Sequence, residues 1–354
     1  MSTQAAATAR YVNADEARQL LSLDDSLALV ETAFTYYGNE GRVTSNPSAS
    51  YVIARNETPT MFWMKGAVAR GAGATGVFFG AQFGDYYFAV CDSVTGRLQG
   101  IVEQAWLTKR RTAATGVVAA RHLAGPDVRV AALIGAGQIG EEVVRVLAAA
   151  FELDELRVAS RTFEGAAAAV RRLQPEVRAP LRAVATPEEA IRGAQVVITI
   201  TLATAAFVRA GWLAEGAVLV SMGGVHEVDF AVLGEIDRLV VDDPGYALLR
   251  GDLAAWIDRG EIGQEALVGR IDANIGEVVA GRKPGRTAPG QRIMAVIQGM
   301  AICDLIVAQH LLERAAAQGL GQPLVIGAQM DVPAHERMKP RSDMIAAGLA
   351  RRRG

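Results

Sequence analysis

Apolar residues fall into two regimes along the chain. From residue 127 to about 299, short runs that are apolar at nearly every position (130–134, 156–160, 196–200, 217–221 and 238–242) alternate with amphipathic stretches. Strands covered by helices on both faces need that pattern, so this region predicts a doubly wound parallel sheet. Upstream the spacing differs. Residues 14–38 carry a helical period, with Asp24-Asp25-Ser26 as a candidate second start. From 50 to about 100 come short β-rich runs at 51–53, 60–65, 76–79 and 86–90, punctuated by glycine, which predict an antiparallel sheet with a hairpin turn at 92–96. A helix is predicted over 107–124. The run from Met294 through Leu312 predicts a long helix that returns the chain to its first region. The first domain is therefore expected to be discontinuous, 1–125 with 303–354, around a second domain at 126–302. The tail past 325 reads as irregular and polar.

The run 130–134 ends in Gly135-Ala136-Gly137-Gln138-Ile139-Gly140, and an amphipathic helix follows. Glycine serves three purposes in such a turn: a tight bend at Gly135, backbone approach to a pyrophosphate at Gly137, and close helix-strand packing at Gly140. The free N–H groups at the start of the helix would face the phosphates. The spacing to the next strand suits a βαβ unit, so the expectation is a nicotinamide dinucleotide enzyme. The end of that strand reads Ser160-Arg161-Thr162, without the acid that would accept bonds from a ribose diol. An arginine fork there suits a 2′-phosphate, which favours NADP(H) while leaving NAD(H) possible. Arg161 also has a plain reading as a solvated surface arginine.

Composition narrows the class. At 354 residues and 51% apolar, the chain can fill two cores, and a net charge of −2 from 36 basic and 38 acidic residues offers no field for nucleic acid or an anionic membrane. Arg351-Arg352-Arg353 reads as a solvated tail. Cys91 and Cys303 have no zinc-type spacing and read as buried free thiols, so no metal is expected. There is no stretch of signal-peptide or transmembrane character, and a cytoplasmic setting is expected.

Hydride transfer to a carboxylate-bearing substrate needs a cation for the carboxylate and a proton donor or acceptor. Arg111, on an apolar-faced helix, is a candidate for the first. Lys65 follows large apolar residues that would lower its pKa, and Asp229 follows a buried strand's carboxyl end, where α/β sheets collect ligands. Each also has a structural reading: Arg111 as a helix surface charge, Lys65 as a snorkelling residue, Asp229 as the N-cap of the helix after it. His226 is a weaker rival for proton transfer. Cofactor contacts are expected from Gly135, Gly137, Gln138, Ile139, Ser160, Arg161 and Thr162, with Thr112 and Thr201.

In order, a lysine ending a strand, Asp92 with Thr95-Gly96, Leu107-Thr108, Arg111-Thr112-Ala113-Ala114, the glycine turn and Glu227-Val228-Asp229 resemble the ornithine cyclodeaminase and mu-crystallin family over about 14–325. The resemblance implies a homodimer of subunits that pair a Rossmann domain with a discontinuous α+β substrate and dimerisation domain. It implies that Lys65 and Arg111 grip a substrate carboxylate and that Asp229 is the acid/base residue. The implied activity is NADP(H)-dependent reduction of an imine, a cyclic ketimine or a keto acid with an amine, to an amino acid, or the reverse. Alternatives are a cyclodeaminase-type lyase that recycles NAD and a non-catalytic crystallin-like binder. Two departures stand out. Pro47 is followed by Ser48-Ala49-Ser50, where the family usually has an arginine, and Ile297-Gln298-Gly299 replaces a serine-x-glycine before Asp304, so that Gln298 is expected to reshape the pocket floor.

Overall fold

A computed structural model describes residues 8–39, 43–54, 60–81 and 85–326, and the backbone alone at 8, 43–54 and 60–63. The expected irregular tail and its arginines lie outside the described residues. Ala9–Leu324 forms one compact unit. Its first sheet has seven strands, β1 (Thr8–Val12), β2 (Val43–Ala54), β3 (Thr60–Ala69), β4 (Ala74–Ala81), β5 (Tyr86–Asp92), β6 (Leu98–Glu103) and β15 (Gln322–Val325), in the order β15-β1-β6-β5-β4-β3-β2. Strands β2 to β6 form an antiparallel meander, and β1 joins β6 in parallel. The turn after β5 forms as expected: Asp92 Oδ1 accepts from Val94 N, Thr95 N and the Thr95 hydroxyl, and Gly96 takes φ +69°. Helices α1 (Ala14–Leu20) and α2 (Leu23–Gly38) replace the single helical stretch, because Ser22 and Asp25 close a capping box two residues before the candidate start. Helix α3 (Leu107–Leu123) then leads to the second sheet.

That sheet is fully parallel, with strands β7 (Val130–Ile134), β8 (Glu155–Ala159), β9 (Leu181–Ala183), β10 (Val196–Thr199), β11 (Val218–Ser221), β12 (Arg238–Val241), β13 (Ile271–Asn274) and β14 (Ile293–Val296) in the order β13-β12-β14-β11-β10-β7-β8-β9. Helices α4 (Gln138–Ala150), α5 (Phe163–Leu173), α6 (Pro187–Ile191), α7 (Pro244–Ala247), α8 (Gly251–Asp258), α9 (Gln264–Val268) and α10 (Ile275–Val279) connect the strands. Alternate residues serve different cores. Leu133, Ile198, Val220 and Ala295 pack on one face, and Ile134, Val197, Leu219 and Val296 on the other. The first of these cores continues into α2, α3 and the inner face of the seven-stranded sheet, which α11 (Ala301–Gln318) covers.

The long helix expected from Met294 to Leu312 is corrected. Residues 293–296 are a central strand between β11 and β12, Gly299 turns the chain at φ +90°, and only then does α11 begin. A strand buried on both faces is uniformly apolar, and such a run has no period to separate it from a buried helix. Cys303 is buried as expected, but Cys91 is only half-buried, because it points to the outer face of β5.

The two sheets are braced against each other. Gly38, at the end of α2, lies against Gly276 of α10 so closely that a Cβ on Gly38 would sit 2.0 Å from the Gly276 carbonyl oxygen. Tyr37 donates to Asp243 (2.5 Å), and Arg110 of α3 pairs with Glu142 of α4 (2.5 Å). Gly38→Ala is expected to force α2 and α10 apart and to cost about 1–3 kcal/mol. Urea unfolding of the variant measures it, and unchanged stability would show that the contact can relax.

Candidate active site

The sheet order sets where a ligand fits. Strand β7 is flanked by β8 on one side and β10 on the other, so the connections leave in opposite directions and open a crevice at their carboxyl ends. The glycine turn lies there. Gly135 takes φ +118°, and a Cβ on it would meet the Ile200 carbonyl oxygen at 2.3 Å; one on Gly140 would meet the Gly135 oxygen at 1.8 Å. Both glycines are forced by packing. Gly137 is different: a Cβ there meets nothing, and no side chain caps the first turn of α4. Gly137 and Gln138 are exposed and Ile139 is half-buried, so the start of α4 presents its N–H groups to open space. Beyond β8, Thr162 caps α5 through Gly165 N (3.1 Å), Ser160 is half-buried, and Arg161 is exposed without an ion-pair partner among the described residues. The residues around this turn fit a dinucleotide.

The opposite wall is held by an acid that sequence reasoning passed over. Glu227 is buried, and its carboxylate accepts from the Thr199 hydroxyl (2.6 Å), Thr201 N (2.6 Å) and Gly223 N (2.9 Å). Burial pushes it up to about 7. Asp252 of α8 accepts from Ser221 Oγ and from Glu227 N and Val228 N, which pins the same loop from beneath.

A cluster of charge forms where the first sheet meets these strand ends. Lys65 on β3 stands opposite Phe78, its Nζ 5.0 Å from that ring's centroid. Arg111 comes from α3. Between them lies Asp304, from the first turn of α11 and without solvent exposure, 2.9 Å from Lys65 Nζ and 2.5 Å from Arg111 Nε. Burial and then the neighbouring guanidinium push Lys65 below the ordinary lysine value, while Asp304 works the other way. Arg111 is 5% exposed, yet its two terminal nitrogens have no partner among the described residues and are not enclosed. Gly299 makes room for them: a Cβ on it would lie 2.9 Å from Arg111 Nη1. Gly299 N donates to Asp242 (2.5 Å), whose buried carboxyl is pushed up to about 7. Gln298 lies beside Gly251 and donates to the Gly223 carbonyl (3.0 Å).

The structure therefore gathers Lys65 and Arg111, and it brings Gly135 together with the Thr201 segment. Thr112 is half-buried one residue past Arg111. Asp229 is not brought to the cluster. It caps the turn at Phe230–Gly234 through Ala231 N (3.0 Å) and pairs with Arg209; the Ala231 amide, then the arginine, hold it below the usual carboxylate range. Its structural reading, the N-cap, describes what it does here. His226 is buried, and neither ring nitrogen has a hydrogen-bond partner among the described residues. Asp304 was the residue to find: a lone acid in the apolar run 301–312 requires a cation, and the chain carries Lys65 and Arg111 in apolar surroundings.

Residues 80–319 match the model of the ornithine cyclodeaminase/mu-crystallin family. The chain is 28% identical to an uncharacterised cyclodeaminase of Sinorhizobium fredii, over 89% of this chain and 98% of the relative. It is 26% identical to a Δ1-pyrroline-2-carboxylate reductase of Bacillus cereus, over 88% and 98%. Among solved structures it is similar to an archaeal alanine dehydrogenase dimer with bound NAD, with a TM-score of 0.81 and 25% identity over 90% of this chain and 99% of that one.

Asp242 gives a pH prediction. Its folded value, near 7, lies above its ordinary 3.8, so the stability linked to its proton is complete below about pH 3.8 and is lost as the pH rises through about 7. Asp242→Asn is expected to flatten that part of the stability–pH curve, measured by urea unfolding between those limits. An unchanged slope would contradict the assignment.

Proposed function

Because the chain belongs to the ornithine cyclodeaminase/mu-crystallin family, we propose that it is an NADP(H)-dependent oxidoreductase. In this reading it reduces the C=N bond of an imine, cyclic or formed from a keto acid and an amine, to an amino acid, or runs the reverse oxidation. The observation that carries the reading is the pair Lys65 and Arg111 held on buried Asp304, with the guanidinium end without a partner among the described residues. A planar fork with two open N–H positions suits a carboxylate, and its fixed orientation would place the neighbouring imine carbon. Lys65 neutralises the same carboxylate. The cofactor supplies the hydride when bound. Of the groups expected to move a proton, Lys65 is supported by its place beside Arg111 and its depressed pKa. Asp229 would first have to leave Arg209 and the Ala231 amide.

Arg161, without an ion-pair partner among the described residues and standing between Ser160 and Thr162 with no acid at the end of β8, supports NADPH over NADH. A homodimer belongs to the same reading. The outer face of the first sheet carries Val77, Phe79, Tyr87, Ala89 and Ile101 in cross-strand register, half-buried and packed into neither core, and a second copy would cover this apolar surface. Among the described residues no helix is long and apolar enough to cross a membrane, and we place the enzyme in the cytoplasm.

The test is NADPH and NADH oxidation against a panel of cyclic imino acids and keto acids, with and without ammonia or methylamine. Imine-dependent oxidation, faster with NADPH, is expected. Ammonia release from a diamino acid without net cofactor change would replace the reading with the lyase, and silence in both assays with the binder. Arg161→Ala is expected to weaken NADPH binding about tenfold to a hundredfold, the worth of a charge-assisted contact, and to spare NADH. Equal losses would remove the 2′-phosphate assignment.

A further inference from the structure

Glu227 lies outside the chemistry just described, yet its carboxylate joins the ends of two strands at the crevice. Thr199 and Thr201 N belong to β10 and its loop, and Gly223 N to the loop after β11. Both loops face the site. Ile200, next to Thr201, is the residue whose carbonyl oxygen crowds Gly135 of the glycine turn. Gly223 passes the connection on, because its own carbonyl accepts from Gln298, the residue before the glycine that backs Arg111. Gly223 is also fitted to the acid, since a Cβ there would lie 2.2 Å from the Glu227 carboxyl carbon. One buried carboxylate thus sets the wall facing the dinucleotide turn relative to the carboxylate grip.

We propose that Glu227 is a positioning residue for the nicotinamide cofactor, holding the Thr201 and Gly223 loops at the spacing in which the crevice accepts the dinucleotide. This rests on the oxidoreductase reading above. The ionised form is the one that works. Two of its partners, Thr201 N and Gly223 N, are backbone N–H groups, which can only donate, whereas the Thr199 hydroxyl can turn and accept. A protonated carboxyl therefore keeps Thr199 and weakens its hold on the loops. The charged and titratable groups around it are Asp252 from α8, His226 in its own loop, and Arg250, whose guanidinium lies beside Gly224. Burial places the Glu227 transition at about 7, within reach of a binding experiment.

The experiment is titration of the whole protein with NADH, followed by nicotinamide fluorescence. NADH lacks the extra phosphate of NADPH, which would itself titrate near pH 6. Wild-type affinity is expected to weaken by roughly threefold to tenfold, the worth of one hydrogen bond, as pH falls from about 8 to about 6. Glu227→Gln keeps the shape but turns one acceptor into a donor. It is expected to bind more weakly at the higher pH and to show no transition. Thr199→Val removes the hydroxyl bond that holds the acid down, so the midpoint is expected to move to higher pH with the loops in place. Wild-type affinity and profile in Glu227→Gln, or an unmoved midpoint in Thr199→Val, would overturn the inference alone. Failure of the wild type to bind NADH or NADPH at any pH would overturn the oxidoreductase reading, and this inference with it.

Discussion

The arrangement depends on one buried carboxylate. Asp304 has no exposure to water, and an acid so placed is tolerated only with cations and hydrogen-bond donors around it. Lys65 and Arg111 supply the cations, at ion-pair distance, from β3 and α3. The same contacts keep two cations together in an apolar setting, where they would otherwise repel each other. Three elements far apart in sequence are thereby fixed at one point, where two cations meet one carboxylate. Replacing the trio by apolar residues would remove the charge on which the proposed substrate grip rests.

A second layer of buried acids works through backbone rather than cations. Glu227, Asp252 and Asp242 each accept from main-chain N–H groups at the carboxyl ends of β10, β11, β12 and β14. Such loops carry unpaired N–H groups that strand pairing no longer satisfies, and a carboxylate accepts several at once. The cost is desolvation, which pushes Glu227 and Asp242 up to about 7. Rigid loops are obtained at the expense of sensitivity to protons near neutrality.

Much of this was legible in the sequence. The alternation of apolar runs and amphipathic helices marked the parallel sheet, Gly135 turns the chain at positive φ as a tight bend requires, and Gly140 proved to be a glycine for the packing reason inferred. What was hidden depends on long-range contact. Strand β14 reads as helix because burial on both faces erases its period, and β1 joins β6 through a pairing no local pattern announces. Asp229 attracted a chemical role by its place after a strand, but a local backbone amide and Arg209 hold it. Asp304 gave the opposite signal, an acid with no local partner. That its cations stand at 65 and 111 is decided by the packing of α11 on the first sheet.

The most direct test of the account is kcat/KM of Asp304→Asn for an imine carboxylate, measured alongside cofactor affinity. If Asp304 holds Lys65 and Arg111 in place for the substrate, kcat/KM falls by about a hundredfold or more, as expected when a buried charge loses its partner, and cofactor affinity stays within about twofold. Wild-type kcat/KM in that variant would contradict it.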